Sequence, residues 1–198
     1  LGHRPTATEF FHAGYSLQKV RQQHGSWLGL LAVQEGAEYS ALLKAHGEFF
    51  LDAVETTRLT KSFKAYLYQA FVELGGVRNA VSVDAVAQRS RELLEHRPDR
   101  LAVELPASVR RVASDSRAWI NYWRKNPIHY SCQQDKRSPQ AWFAEENGVF
   151  TLNFTVEEAL QERFEAYFIE LIELRLAEYF ARSSVAERMV AEPGDSFN

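Results

Sequence analysis

The sequence predicts a mainly α-helical protein built from helix-turn-helix or winged-helix-like units, with one small β-hairpin and a long C-terminal helix. Three observations predict this class. Apolar residues recur at helical spacing through most of the chain, and capping residues precede several of these runs. Asn147-Gly148, a dipeptide typical of a type I′ turn, lies between two segments of alternating polarity. A capping box of Thr155 and Glu158 then precedes the longest apolar helical pattern.

Residues 1–36 are predicted to form a helix-turn-helix-like unit of three short helices. Thr6 with Glu9 forms a capping box for the first helix, Ser16 caps the second, and Gly25-Ser26 separates the second from the third. In such a unit the helix after the turn enters the major groove, where Gln and Arg side chains bond to base edges. The candidate DNA-binding residues on this helix are Gln18, Lys19, Arg21 and Gln22. The alternative is a three-helix packing unit with a solvated polar face.

Residues 37–57 are predicted to form a helix that connects this unit to a larger helical domain at 58–183. The domain begins with an amphipathic helix whose apolar face extends from Leu59 to Leu74. Lys61 and Lys64 lie one turn apart on the opposite side of that helix, a position suited to phosphate contact and equally to water.

Two further helices are predicted in this domain. The first is capped by Ser82 and exposes Arg89 and Arg91. The second extends from Ala107 to Lys125 and ends at Asn126-Pro127, because the residue before a proline disfavours helical backbone angles. The amphipathic helix of Leu59–Leu74 and the helix capped by Ser82, joined by a short loop, are compatible with the core of a winged-helix-like unit.

The segment Pro106–Trp142 inverts the charge of the chain. It carries seven Lys and Arg residues against Asp115 and Asp135, an excess of five positive charges in a chain whose formal net charge is −3. A polyanion would therefore meet this segment rather than the acidic C-terminal part. Trp119 and Trp123, one helical turn apart, are expected in the core rather than as stacking platforms. The candidate DNA-binding residues in 58–183 are Lys61, Lys64, Arg110, Arg117, Arg124, Lys125, His129, Lys136 and Arg137.

The predicted hairpin at 141–154 has the position of a wing, but Glu145 and Glu146 beside its tip favour a structural role over phosphate contact. The helix after it is predicted to extend from Thr155 to about Arg182, with a wide apolar face and an acidic exterior. Residues 184–198 are polar and are expected to fray.

Sequence motifs for catalysis or cofactor binding are absent: there is no phosphate-binding glycine loop, no zinc-protease motif and no calcium loop. Cys132 is the single cysteine, so an intrachain disulfide is impossible, and the thiol is predicted to be unreactive. Asp135 and Lys136 followed by Glu145 and Glu146 are distantly similar to the carboxylate and lysine set of a nuclease, a minor alternative. We therefore predict no metal, no cofactor and no enzymatic activity for this chain.

The sequence contains no apolar run near the roughly 20 residues that cross a bilayer, and its start lacks a secretory signal pattern. These observations predict a cytoplasmic protein with no membrane partner. The first residue is Leu1 rather than Met, so we expect the chain to be part of a longer parent protein.

Short motifs also resemble known families. Arg4-Pro5-Thr6 and Gly25-Ser26-Trp27 make the first thirty-odd residues similar to the homing-endonuclease-associated repeat, a small helix-turn-helix unit. The rest of the chain resembles a C-terminal accessory region of bacterial superfamily II DEAD/DEAH-box DNA helicases of the restriction and phage-defence kind. The motifs that carry this second resemblance are Thr60-Lys61-Ser62-Phe63-Lys64, Asn126-Pro127-Ile128, Ala141-Trp142-Phe143 and the segment from Glu173 to Tyr179.

The second resemblance covers most of residues 58–180 and implies that the helicase or nuclease domains of the parent chain are partners. ATPase motifs are missing from this sequence, so the resemblance places any ATP-dependent activity elsewhere in the parent. The function that the sequence predicts is a DNA-binding accessory module, gripping duplex or single-stranded DNA mostly through phosphate. The alternative is a protein-interaction or structural domain that docks through its long acidic helix.

Overall fold

The computed structural model describes residues 4–134 and 140–191, with side chains described up to Ser183. The protein is mainly helical, with one small three-stranded antiparallel sheet and a long C-terminal helix, as the sequence predicts. Buried apolar side chains from all parts of the described chain form one continuous core, from Leu17 and Trp27 near the N-terminus to Phe168 in the last helix.

The N-terminal part consists of α1 (Ala7–His12), α2 (Leu17–His24), α3 (Trp27–Gln34) and α4 (Ala37–Phe49). The predicted caps are confirmed: Thr6 and Glu9 form the reciprocal capping box, and the Ser16 hydroxyl accepts the Lys19 N–H. Helix α4 continues into a π-helical segment, Phe50–Glu55, so the predicted connecting helix is present but its last turn is widened.

From α5 to β3 the principal elements run helix, strand, helix, helix and hairpin, an order compatible with the predicted winged-helix-like unit. The elements are α5 (Phe63–Glu73), β1 (Val81–Ser82), α6 (Val83–Glu95), α7 (Pro98–Glu104), α8 (Ala107–Arg110), α9 (Arg117–Trp123), a second π-helical segment (Arg124–Ile128), α10 (His129–Ser131), β2 (Phe143–Glu146) and β3 (Val149–Leu152). The sheet order is β1-β3-β2, so the strand before α6 pairs with the outgoing strand of the hairpin. Helices α7 and α8 are an insertion in this order.

The hairpin turn at Asn147-Gly148 is confirmed. Both residues have positive φ, 51° and 80°, as a type I′ turn requires. Strand β1 was not predicted from the sequence, because a two-residue strand is too short to show alternation and forms only where β3 is available to pair with it.

The helix predicted from Ala107 to Lys125 is wrong in two respects. It is interrupted between Arg110 and Arg117, since the Ser116 hydroxyl accepts the Trp119 N–H and starts a new helix. It also does not end at Asn126-Pro127. The wider π-helical turn accommodates the proline, and helical backbone continues to Ser131. We call residues 117–131 the 117–131 helix.

The C-terminal helix α11 (Glu158–Ala191) begins later than the predicted start at Thr155 and continues past Arg182. Its apolar face packs against α1, α4 and α5, so it lies at the centre of the protein. Every helix within the described ranges falls short of the combined length and apolar character that crossing a membrane would need.

Candidate nucleic-acid interface

The 117–131 helix presents a row of polar side chains to solvent. Arg117, Asn121 and Lys125 are exposed and follow one another at four-residue spacing, which places them on one side of the helix. They form no ion pair or side-chain hydrogen bond with any other described residue. Trp119 and Trp123, on the opposite side, are fully buried and stacked at 4.8 Å, which confirms their prediction as core residues and fixes the orientation of the row.

Arg124, although next to Lys125 in sequence, contacts the hairpin. Its guanidinium lies 3.4 Å from the carboxylate of Glu145 on β2. This ion pair is partly exposed and contributes little stability, on the order of 0–1 kcal/mol. It does offset the charge of Arg124 and connects the helix to the hairpin.

Both the side chain and the backbone carbonyl of Arg110 form hydrogen bonds within the protein. Its guanidinium donates to the backbone carbonyl of Leu105 at 2.9 Å, and its own carbonyl accepts a hydrogen bond from Arg91 at 2.6 Å. The prediction that Arg91 is exposed is wrong: it is 4% exposed and lies over the ring of Trp119 at 5.0 Å. Arg91 and Arg110 therefore connect α8 to α6 and do not add to an exposed cationic surface.

The loop before α5 is held by Glu104 at the end of α7. The Glu104 carboxylate accepts the backbone N–H of Ser62 at 2.7 Å and its hydroxyl at 2.8 Å. The Glu104 backbone carbonyl accepts the ammonium of Lys61 at 2.6 Å. The loop is thereby anchored where Lys61 and Lys64 reach the edge of a cavity.

This cavity, of about 550 Å³, lies between the first π-helical segment, the start of α5, the 117–131 helix and the residues before β2. Its walls combine aromatic, amide, hydroxyl and charged side chains. The lining residues are Asp52, Ala53, Thr57, Arg58, Leu59, Thr60, Lys61, Phe63, Lys64, Tyr68, Tyr122, Asn126, Pro127, Tyr130, Ser131, Gln133, Gln134 and Trp142. We call it the Tyr130 cavity.

Helix α2 carries the N-terminal candidates, apart from this cavity. Gln18, Lys19 and Gln22 are exposed. Arg21 instead pairs with the buried carboxylate of Glu55 at 3.3 Å, and burial raises the pKa of that carboxyl. Three of the four candidates on α2 therefore face solvent, and the fourth anchors the helix to the first π-helical segment.

Of the remaining candidates, His129 lies near the end of the 117–131 helix. His129 is exposed and its ring nitrogen Nε2 is 2.7 Å from the amide nitrogen of Gln133. Lys136 and Arg137 lie outside the described residues, as does Asp135 of the nuclease-like set. The described candidates that face solvent thus lie mainly on α2, at the rim of the Tyr130 cavity and along the 117–131 helix, whereas Arg110 and Arg124 bond to other parts of the fold.

Two observations concern nucleophilic and metal chemistry in the described residues. Burial raises the pKa of the Cys132 thiol to about 11, and the nearby Glu145 carboxylate adds to the effect. A thiol with that pKa is almost wholly protonated at neutral pH. Within the described ranges, no group of three or more His, Cys, Asp and Glu side chains is placed to hold a metal ion.

Sequence reasoning missed Asn121 and most of the Tyr130 cavity. The signal for Asn121 was its position midway between Arg117 and Lys125, four residues from each. The cavity had no comparable signal, because its walls come from segments 52–68, 122–134 and residue 142. Comparison of the chain with protein-family models, with curated proteins and with solved structures finds no match in any of the three.

Proposed function

We propose that this chain is a DNA-binding accessory module of a larger bacterial DNA helicase or nuclease, and that it holds duplex DNA through the 117–131 helix. The observation that carries the proposal is the exposed row of Arg117, Asn121 and Lys125 on the third principal helix of a winged-helix element order. In helix-turn-helix proteins the corresponding helix lies in the major groove and contacts base edges and phosphates. The helicase or nuclease parent rests on the resemblance of the short motifs.

Charge supports the same surface. No Asp or Glu occurs in residues 116–134, so the helix and the turn after it carry cations alone. Cationic side chains that meet phosphates release bound counterions, which is the main source of sequence-independent DNA affinity. Asn121, between the two cations, has the donor and acceptor pair that recognises adenine in the major groove. Gln18, Lys19 and Gln22 on α2 offer a second polar surface for DNA.

The alternative, a protein-interaction domain that docks through the acidic side of α11, is weakened by internal pairing. Glu165 pairs with Arg78, Glu178 pairs with Arg175, and Glu170 is buried among N-terminal partners. The acidic exterior predicted from the sequence consists of six glutamates, at positions 157, 162, 165, 170, 173 and 178, and three of them are therefore already paired within the protein. The exposed remainder is Glu157, Glu162 and Glu173.

The test is duplex binding by the 198-residue chain, measured by fluorescence polarisation across a series of salt concentrations. Wild type is compared with the double variant Arg117→Ala/Lys125→Ala, with Lys19→Ala on α2, and with Lys44→Ala, an exposed cation on α4 that serves as the matched control. Each phosphate contact contributes about 0.9 to the slope of log affinity against log salt. The double variant is expected to lower the slope by up to about 1.8, and Lys44→Ala to leave it unchanged.

Two results contradict the proposal. Absence of wild-type binding to duplex DNA at low salt removes the DNA function altogether. If the double variant and Lys44→Ala weaken binding equally, the 117–131 helix is not the contact surface. If Lys19→Ala alone lowers the slope, α2 is the DNA-contacting helix.

A further inference from the structure

The Tyr130 cavity is not used by the proposed duplex contacts. We propose that it binds one nucleotide unit, a nucleobase with its phosphate, supplied either as a free nucleoside monophosphate or as an unpaired nucleotide of a DNA strand. The second source rests on the proposed DNA function, whereas the first is independent of it. A volume of about 550 Å³ lies within the range of small-molecule sites, roughly 300–1,000 Å³.

Aromatic rings supply the surfaces on which a base can stack. Tyr130 lines the cavity and is 59% exposed, so its ring is accessible to a ligand. Trp142 is held in a fixed plane by edge contacts with Phe49 at 5.8 Å and Phe154 at 6.0 Å. Every base has a π-face, so stacking on such rings accepts all four bases.

An oriented amide can read the edge of the base. The Asn126 amide nitrogen donates to the backbone carbonyl of Tyr122 at 2.7 Å, which fixes the side chain in one orientation. Its amide oxygen remains an acceptor for an exocyclic amino group or ring N–H. Bases taken out of a duplex are recognised in this way, between stacked rings and edge hydrogen bonds.

The charge of the lining fits a phosphate. The lining contains three cationic side chains, Arg58, Lys61 and Lys64, and one carboxylate, that of Asp52. The cavity therefore has a formal excess of two positive charges. A terminal phosphate carries about −1.5 to −2 at pH 7. Arg58 is exposed and makes no ion pair or side-chain hydrogen bond with another described residue. It can therefore contact a phosphate without breaking an existing bond.

Both π-helical segments of the described chain meet at this cavity. The segment Phe50–Glu55 contributes Asp52 and Ala53, and the segment Arg124–Ile128 contributes Asn126 and Pro127. π-Helical residues are rare and make up less than about 1% of residues in globular proteins. They occur frequently at functional sites. Both widened segments therefore form part of the wall of this cavity, and the second of them also accommodates Pro127.

The cavity also adjoins the proposed DNA surface. Tyr122 and Asn126 follow Asn121 and Lys125 directly in sequence, so the cavity-lining side and the exposed row are neighbouring sides of the same helix. A DNA strand lying along the exposed row has one nucleotide within reach of the cavity if that nucleotide is unpaired. This relationship connects the two sites without making either depend on the other for its chemistry.

Two probes separate the two sources. Isothermal titration calorimetry measures binding of each of the four deoxynucleoside 5′-monophosphates. Fluorescence measures binding of a duplex that carries one bulged 2-aminopurine, against the same duplex fully paired. The cavity variants are Tyr130→Ala and Arg58→Ala, and the matched controls are Tyr15→Ala and Lys44→Ala, an exposed tyrosine and an exposed lysine outside the cavity.

We expect saturable binding of at least one monophosphate or tighter binding of the bulged duplex, and whichever occurs identifies the source. Tyr130→Ala is expected to raise the Kd between about 5-fold and about 150-fold, the range for loss of one base–aromatic stack. The proposal is overturned if no monophosphate binds and the bulge gives no preference, or if both cavity variants bind like their controls. If the wild type binds a monophosphate but does not bind duplex DNA, the proposed DNA function is removed and the assignment of the cavity stands.

Discussion

The carboxylate of Glu170 accepts the indole N–H of Trp27 at 2.9 Å, which joins the start of α3 to the middle of α11 across 143 residues of sequence. The same carboxylate accepts two hydrogen bonds from the guanidinium of Arg4, at 2.9 and 2.7 Å, and one from the backbone N–H of Ala7 at 2.9 Å. Arg4 and Trp27 belong to the two motifs that resemble the homing-endonuclease-associated repeat. In this protein those residues dock the N-terminal unit on the last helix.

Replacing Glu170 should therefore loosen the whole N-terminal unit. Glu170→Ala leaves the Arg4 guanidinium, the Ala7 N–H and the Trp27 indole without their acceptor, and a buried polar group without a partner costs about 1–3 kcal/mol. Because Arg4 stays partly hydrated, we expect a total loss of about 2–4 kcal/mol in the free energy of unfolding. Urea denaturation measures it, with Glu162→Ala, an exposed glutamate of the same helix, as the control. A loss below about 0.5 kcal/mol would show that this carboxylate does not hold the unit in place.

His46 should make stability depend on pH. The ring is buried between Phe154 and Phe164, and burial lowers the pKa of the imidazole against a smaller raising effect of Glu157. The unfolded chain takes up a proton as pH falls through about 6.5, whereas the folded chain takes it up only at lower pH, so this group destabilises the protein as pH falls from that value. Comparing the unfolding free energies of wild type and His46→Leu at pH 7.5 and pH 5.0 isolates the effect. The wild type should lose more stability over this interval than the variant, and equal losses would exclude the mechanism.

Cys132 should react slowly with alkylating reagents. Burial raises the pKa of its thiol to about 11, so the thiolate fraction at pH 7.5 is far below that of a free cysteine. As the single cysteine, it gives an unambiguous signal in mass spectrometry after iodoacetamide treatment. Alkylation of the folded protein is expected to be at least about tenfold slower than alkylation of the urea-unfolded protein. Equal rates would contradict the raised pKa.

Local signals predicted the ends of some elements and not of others: helical backbone continues through Asn126-Pro127, and α11 begins at Glu158 rather than at Thr155. The Thr6 and Ser16 caps, the Ser82 cap and the Asn147-Gly148 turn depend on a few adjacent residues, and the structure has all of them. What the sequence could not reveal depends on partners distant in the chain. Arg91 reads as an exposed cation on its helix, yet its guanidinium bonds to carbonyls of Val109 and Arg110.

The residues of the candidate site also fall into those that a local pattern predicts and those that depend on partners distant in the chain. Arg117 and Lys125 were identifiable because the excess of positive charge in Pro106–Trp142 is visible in the sequence. The partner of Arg124 was not, because Glu145 reaches it only after the hairpin folds back on the helix. The Tyr130 cavity was hidden for the same reason, although Thr60-Lys61-Ser62-Phe63-Lys64, Asn126-Pro127-Ile128 and Ala141-Trp142-Phe143, quoted as separate motifs, each contribute to its wall.

The ion pair of Arg124 with Glu145 predicts that removal of the Glu145 carboxylate increases DNA affinity. Glu145→Ala removes a negative charge beside the proposed DNA surface and releases the Arg124 guanidinium for phosphate contact. DNA affinity at low salt should rise by up to about fivefold, since one exposed charge contact is worth up to ~1 kcal/mol. Glu48→Ala, an exposed glutamate on α4, is the control and should change little. Weaker binding by Glu145→Ala would mean that the hairpin needs this ion pair to present the DNA surface.

Asn121 should affect sequence preference and leave the electrostatic part of binding intact. Its amide carries no charge, so Asn121→Ala is expected to keep the wild-type salt slope, in contrast to the variants of Arg117 and Lys125. A bidentate contact between an amide and adenine is worth about 1–3 kcal/mol of discrimination, so the variant should bind a random pool of duplexes with less enrichment of adenine. Selection from that pool followed by sequencing compares wild type, Asn121→Ala and Asn79→Ala, the last an exposed asparagine outside the 117–131 helix. If wild type and Asn121→Ala select the same duplexes, the row contacts phosphate alone, and the specificity of the parent protein resides in another surface.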